Sequence, residues 1–374
     1  MPHVRLPKPS ITRNPRPNMP AQSANKQFAK HLLQWFDHHG RKHLPWKKNN
    51  HPYPIWISEI MLQQTQVSTV IPYFERFIER FPDLDSLAAA NVDEVLAHWS
   101  GLGYYARGRN LHKAAEQIRE QHGGEFPGQI EDVLALPGIG RSTAAAILAQ
   151  AHNQHHAILD GNVKRVLARL ICLESYPGET RALKQLWTLA EALTPAKRVA
   201  DYTQAIMDLG AMLCTRSRPA CDECPVQNHC ESFKGGRVSE FPKPRPKKNR
   251  PRKTAVFALV RDQNGRLMLT RRPPAGIWGG LWCLPEFDRE QELFEWLQQS
   301  FGSDNSAPKK LEPIKHGFTH YELEIQPISI TINADTGPRI AEDELNWCDP
   351  DHLSTLGLPA PFRRLLAGLS NPEE

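Results

Sequence analysis

Four of the chain's seven cysteines, Cys214, Cys221, Cys224 and Cys230, fall within seventeen residues in the spacing C-x6-C-x2-C-x5-C. Thiols this close along the chain do not readily pair into two unstrained disulfides, but they can wrap one metal centre. Four thiolates suit either tetrahedral zinc or an iron–sulfur cluster. Zinc sites usually pair two C-x2-C knuckles across a longer loop, and this run has only one, Cys221 with Cys224. The spacing therefore predicts a segment that folds around an inorganic core in a reducing, intracellular compartment. Cys172, Cys283 and Cys348 are isolated and read as buried small residues, not as a disulfide framework.

Length and charge narrow the rest. A chain of 374 residues has room for roughly two or three domains. No apolar run approaches the ~20 residues that a membrane span requires, and the N-terminus lacks the apolar core of an export signal. The net charge of +5 is unevenly placed. Arg5, Lys8, Arg13 and Arg16 lie in a proline-rich tail, and Lys243, Arg245, Lys247, Lys248, Arg250, Arg252 and Lys253 crowd one short stretch. Such runs favour an anionic partner; the alternative for any charge run is a solvated, disordered face.

Periodicity then divides the chain. Residues 1–24 carry six prolines and almost no apolar repeat, which predicts a disordered tail. Residues 25–234 have a helical pattern. Leu32, Leu33 and Phe36 mark one helix, and Ile57, Ile60, Met61 and Val67 mark another. Further helices are predicted near Val92–Trp99, Leu111–Gln121, Ile130–Leu136, Ser142–Gln150, Val163–Cys172, Ala182–Leu193 and Tyr202–Leu213, each punctuated by Gly, Pro or Asp. Residues 235–253 read as an exposed interdomain linker with nothing able to pack. Beyond it, Thr254–Val260 and Arg266–Thr270 flank the turn Asp262-Gln263-Asn264-Gly265, Glu290–Gln299 is helical, and Phe318–Ile332 is strand-like. The expected fold class is multi-domain: an all-α domain with a cluster loop, then an α+β domain over residues 254–370.

Three motifs bear on chemistry. Leu136-Pro137-Gly138-Ile139-Gly140-Arg141-Ser142-Thr143 joins two helical segments through a turn in which Gly138 and Gly140 let another chain approach the backbone. The helix that follows starts with outward N–H groups, a natural phosphate site; an ordinary helix–helix turn uses the same glycines. Asp160 precedes another helix, where its plain role is an N-cap. A carboxylate held ionised there by amides and dipole could also face a developing cation. Glu59, read as lying in the first turn of a helix, is either dipole-complementing surface or an acid in the apolar pocket of Ile57, Ile60 and Met61.

Taken together, the hairpin, the following Asp160 and the cysteine spacing closely resemble the helix-hairpin-helix DNA glycosylases. The stretch from Trp56 to Val67 resembles the MutY-family adenine DNA glycosylases in particular. The resemblance runs from about Gln27 to Leu366 and implies one 4Fe-4S cluster on the four cysteines. It implies Glu59 as general acid towards ring nitrogen seven of adenine, Asp160 as the anion facing the sugar cation, and Asn162 and Ser142 supporting Asp160 and the incoming water. Base flipping is then required. DNA contacts carried over by the resemblance are Gln63, Gln64, Tyr104, Gly138, Gly140 and Lys164; Gln64 and Tyr104 wedge beside the lesion.

The C-terminal region resembles a Nudix fold around Trp278-Gly279-Gly280-Leu281-Trp282-Cys283-Leu284-Pro285-Glu286, but the magnesium-binding acids are replaced by Phe294-Glu295-Trp296-Leu297-Gln298-Gln299. This implies a recognition domain in which Phe318, Thr319 and His320 match the family's Phe-Ser-His reader of 8-oxoguanine, with Thr in place of Ser. The implied partner of this cytoplasmic, monomeric enzyme is double-stranded DNA with adenine opposite 8-oxoguanine or guanine. An endonuclease III-like lyase would need lysine where Ser142 stands, and a non-enzymatic lesion binder would lack Glu59 or Asp160.

Overall fold

In the computed structural model, which describes residues 22–246, 249–273, 276–302, 306–318, 320–332 and 345–370, the chain is helical up to the cysteine run and mixed beyond it. In chain order come α1 (Gln22–His39), α2 (Pro52–Met61), α3 (Val67–Arg80), α4 (Leu84–Ala89), α5 (Val92–Trp99), α6 (Ala106–Gln121), α7 (Ile130–Ala135), α8 (Arg141–His152), α9 (Gly161–Leu170), α10 (Thr180–Leu193), α11 (Val199–Asp208) and the short α12 (Glu231–Lys234). Then follow β1 (Arg252–Arg261), β2 (Leu267–Arg271), β3 (Trp282–Cys283), β4 (Glu286–Phe287), α13 (Glu290–Phe301), β5 (Lys309–Lys310), β6 (Ile314–Gly317), β7 (Glu322–Thr331), β8 (Leu345–Cys348) and α14 (Ala360–Ser370). Helix starts follow local chemistry. Pro52 opens α2, where a missing N–H costs nothing. Asp83 and Ser86 cap α4 reciprocally, and Asn91 caps α5.

One expected helix is in fact two. Apolar residues from Ile57 to Val67 suggested a continuous element, yet the chain turns over residues 62–66 and Gln64 adopts a left-handed φ of 61°. No Gly or Pro announces this break in the sequence.

The helices and strands gather into two compact units. Residues 22–42 and 152–246 form one of them. Here α1 lies on α10 and α11, and Leu32, Phe36, Leu167, Leu186 and Tyr202 are buried. Fully buried Asp208 accepts hydrogen bonds from the backbone N–H and guanidinium of Arg41 and from Gln204, so its charge is paired where burial would otherwise penalise it. The segment expected to be a linker without anchors is corrected here. Phe241 is 2% exposed, its carbonyl accepts from Arg169 Nε at 2.9 Å, and Arg237 and Lys243 lie against its ring. One aromatic among prolines and lysines is enough to seat the chain as far as Lys243. Residues 244–246 and 249–250 remain exposed.

The second unit combines residues 43–151 with the described residues from 249 onward. β1 and β7 pair in parallel from Arg252↔Glu322 to Arg261↔Thr331. β2 lies antiparallel to β1 and carries β3 and β8, while β5 and β6 pair with β7. Alternation sorts β1 between two cores. Val256, Ala258 and Val260 meet Leu293, Leu297 and Phe301 of α13. Ala255, Phe257 and Leu259 enter a larger core with Phe362 of α14 and with Trp56, Phe77, Trp99 and Leu111 of the helices. Polar contacts follow the same seam. Ser100 and Tyr105 hydroxyls donate to the Leu358 carbonyl, and Arg271 pairs with Asp93 at 2.7 Å. Among the described residues no helix is long and apolar enough to cross a membrane.

This shared core has a measurable consequence. Limited trypsin cleavage after Lys247 or Lys248, the basic residues between Phe241 and Pro251 that no proline follows, is expected to give a nicked protein whose fragments co-elute on gel filtration in native buffer and part only in denaturant. Release of a folded, monomeric C-terminal fragment without denaturant would contradict it.

Candidate functional site

Because α2 begins at Pro52, Glu59 sits in the last turn of that helix, not the first as its sequence context suggested. Carbonyl ends of a helix disfavour a nearby anion, so the dipole-complementing surface role does not apply. Trp56, Ile57, Ile60 and Met61 around it are buried, while Glu59 itself is half-buried. Gln150 of α8 donates through Nε2 to Glu59 Oε1 at 2.7 Å. This glutamine is 5% exposed, and its own Oε1 has no hydrogen-bond partner among the described residues. Sequence reasoning missed Gln150. Its signal was a lone polar residue in the buried run Ala144-Ala145-Ala146-Ile147-Leu148-Ala149-Gln150.

The turn after α2 and the hairpin before α8 meet through Gln63, which donates to Thr143 Oγ1 at 3.3 Å. Ser142 is half-buried as the second residue of α8. Gly138 has φ 79°, and a Cβ there would come within 2.8 Å of Asn110, so glycine is required by the chain itself. Gly140 is different: it is exposed, and a Cβ would meet nothing. Any need for glycine there comes from outside the fold.

Gln64 and Tyr104 both protrude from the same unit, Tyr104 with 48% of its surface exposed. Both have positive φ, 61° and 50°, although neither is glycine. In the C-terminal part of this unit, Phe318 packs 5.4 Å from Trp278, 4.7 Å from His316 and 5.0 Å from Tyr321. Its backbone N–H donates to the Tyr321 carbonyl at 2.8 Å, and His320 is exposed. Thr319 lies outside the described residues.

The other unit holds Asp160, Asn162, Lys164 and the cysteines. Asp160 caps α9, its Oδ1 accepting from the Val163 N–H at 2.7 Å. One edge of the residue reaches solvent, but protein surrounds most of the carboxyl, and this desolvation raises its pKa against the lowering by the Val163 and Asn162 amides and by Arg165 and Lys164. The capping amides alone would lower the pKa, and burial more than offsets them. Asn162 supports Asp160 through its backbone N–H, because its side-chain Oδ1 already accepts from Arg165 at 2.8 Å. Lys164 is half-exposed on the same helix.

Cys214, Cys221, Cys224 and Cys230 line one small cavity with Arg169. Arg169 Nη1 lies 3.2 Å from Cys214 Sγ and 2.7 Å from the Thr215 carbonyl. Burial chiefly, and the neighbouring sulfurs further, push the Cys224 thiol up to about 12. Four thiols around one cavity become thiolates together only on a cationic centre. Four thiols lining one cavity could serve a cluster that takes one sulfur at each corner or a single tetrahedral ion.

With the geometry in hand, the chain was compared with known proteins. Residues 57–192 match the HhH-GPD superfamily of base excision DNA repair proteins, 214–230 the iron–sulfur binding domain of endonuclease III, and 255–368 the NUDIX domain. An adenine DNA glycosylase of Buchnera aphidicola subsp. Schizaphis graminum is 38% identical over 339 residues, covering 91% of this chain and 97% of that protein. The adenine DNA glycosylase of Rattus norvegicus is 34% identical, covering 83% and 71%. Among solved structures, a thermostable thymine-DNA glycosylase aligns with TM-score 0.51 at 26% identity, covering 57% of this chain and 98% of that one. A non-covalent endonuclease III–DNA complex aligns with TM-score 0.50 at 19% identity, covering 58% and 99%, a likeness of fold.

The raised pKa of Asp160 predicts a stability effect. An acid whose folded pKa lies above its unfolded value of 3.8 costs the folded state stability as pH rises past that value, because the unfolded chain gives up its proton first. Asparagine caps equally well and carries no charge. Asp160→Asn should therefore be at least as stable as the native protein at neutral pH, with the difference closing below about pH 4. Thermal melts across that range check this; a variant less stable at neutral pH would show that the ionised cap outweighs burial.

Proposed function

This chain belongs to the adenine DNA glycosylase family, and we propose that it hydrolyses the N-glycosidic bond of adenine standing opposite 8-oxoguanine or guanine in duplex DNA. One observation carries the reading most: the short backbone run from Glu59 to Thr65 holds the candidate acid, its buried surroundings and a protruding candidate reader, Gln64.

Adenine leaves poorly as an anion. Glu59 protonates ring nitrogen seven, which weakens the bond and leaves an oxocarbenium-like sugar. Asp160 is the anion that stabilises or captures that cation, and the forming positive charge favours its ionised form over the neutral one that burial prefers. Ser142 and the Asn162 amide order the site and the water. Flipping the nucleotide costs a few kcal/mol, least at a mispair. The pocket removes a normal base, so specificity comes from the opposite one. A single bidentate contact supplies only ~1–3 kcal/mol, so Gln64 and Tyr104 act with Phe318, Thr319 and His320. The cysteine run binds a 4Fe-4S cluster, which holds in place a loop bearing exposed Arg216 and Arg218 for phosphate contact. The enzyme acts as a monomer on intracellular DNA.

Ser142 makes the enzyme monofunctional, since a hydroxyl forms no Schiff base with the abasic sugar. Borohydride is expected to trap little adduct, and Ser142→Lys to introduce some. Efficient trapping by the native enzyme, surviving substitution of surface lysines, would shift the assignment to the lyase relatives.

The central test is single-turnover cleavage of adenine opposite 8-oxoguanine, guanine and thymine. The rates should fall in that order. Glu59→Gln should slow release by ~100- to 10,000-fold, the usual worth of general acid catalysis, with binding to a non-cleavable analogue retained. A loss below about tenfold would refute the acid role.

A further inference from the structure

We propose that Arg107 is the positioning residue that fixes the two DNA-reading loops at one separation, so that Gln64 and Tyr104 enter the duplex as a single wedge. This rests on the assignment of those two residues as readers. Arg107 lies in the first turn of α6 and is 9% exposed. Its Nη1 donates to the carbonyls of Ile60 at 2.9 Å, Met61 at 2.8 Å and Gln63 at 2.6 Å. Its Nη2 donates to Thr65 Oγ1 at 3.3 Å and to the carbonyls of Leu102 at 3.2 Å and Gly103 at 3.1 Å. One planar group thus clasps the turn that carries Gln64 and the loop that carries Tyr104.

Three further features show that this clasp serves position more than stability. Both readers hold left-handed backbone that their side chains disfavour, a state that persists only where surrounding contacts over-determine it. The guanidinium also lies 5.6 Å from the centre of the Tyr104 ring and 5.4 Å from that of buried Trp99, so it steadies the reader's ring as well as its backbone. Finally, the arrangement is costly. All six acceptors are neutral, Nε has no partner among the described residues, and burial lowers the Arg107 pKa to about 10. A buried cation is a poor choice where stability alone is at issue. Lysine cannot replace it, because a point charge on a flexible stem cannot serve both loops with fixed geometry.

A double-mutant cycle on the full chain separates positioning from support. Arg107→Lys should lower the single-turnover rate on adenine opposite 8-oxoguanine by about tenfold or more and narrow the preference over guanine, with iron content unchanged. On that background Tyr104→Ala and Gln64→Ala should add little, because wedge residues without a fixed separation no longer act together. Losses that multiply in full, whatever the change in Tm, would overturn the proposal. If Arg107→Lys does not fold, the cycle between Gln64→Ala and Tyr104→Ala in the otherwise native enzyme decides. Loops clasped at one separation give a double variant little worse than its worse single, while independent loops give the product. If neither single variant changes opposite-base preference, the reader assignment itself falls, an outcome distinct from fully multiplying losses.

Discussion

Guanidinium groups buried against backbone carbonyls let this chain keep irregular loops beside its helices. A loop that binds a ligand seldom satisfies its own polar backbone, and a buried carbonyl without a donor is costly. Arg169, 2% exposed, donates to the carbonyls of Phe241, Thr215 and Arg216 and reaches Cys214 Sγ. Arg165, one turn earlier on α9, donates to the carbonyls of Gly210 and Cys214 and to Asn162. The helix that Asp160 caps is therefore the same helix that holds the cysteine run along its flank. The four-cysteine loop and the candidate carboxylate are fixed by one rigid element.

The same constraint explains what the sequence did and did not disclose. Periodic elements with ordinary ends were legible: α5 spans Val92–Trp99, the range its apolar spacing predicts, because Asn91 caps it and nothing tertiary competes. The break between α2 and α3 was not legible. Leu62-Gln63-Gln64-Thr65 contains no breaker, and the turn is held from outside by an arginine more than forty residues away. Phe241 was hidden for the opposite reason, since proline and lysine around it set the local composition while one ring sets the packing. Site residues that the resemblance supplied were placed by motif. Gln150 belongs to no motif, and only its burial beside Glu59 marks it.

Composition at the proline-rich stretch suggested two bodies joined by a tether, the second devoted to reading the lesion. The core argues for a different division. Phe257 and Phe362 pack in the same cluster as Trp56 and Trp99, so the sheet and the helices carrying Glu59, Gln64 and Tyr104 make one unit. The proposed discrimination between opposite bases then does not depend on a mobile domain finding its place. The proposed readers near Phe318 and at residues 64 and 104 share one framework, and a shared framework lets weak contacts sum without separate ordering costs.

In the proposed mechanism one carboxyl is the acid and the other the anion, and the two candidates stand at opposite ends of their own helices. Glu59 is in the last turn of α2, where free carbonyls oppose an anion, and its neighbour Gln150 has an amide able to accept from an acid or donate to a carboxylate. Asp160 is at the start of α9, where the Val163 and Asn162 amides favour the anion. Burial opposes charge at Asp160 and on balance raises its pKa. In the proposed mechanism its carboxylate therefore gains most when a positive charge forms beside it as the glycosidic bond breaks. An asparagine would cap α9 as well and avoid that cost. Aspartate at this position makes sense as a charge reserved for the transition state, where an interaction accelerates a reaction only by being stronger than it was in the ground state.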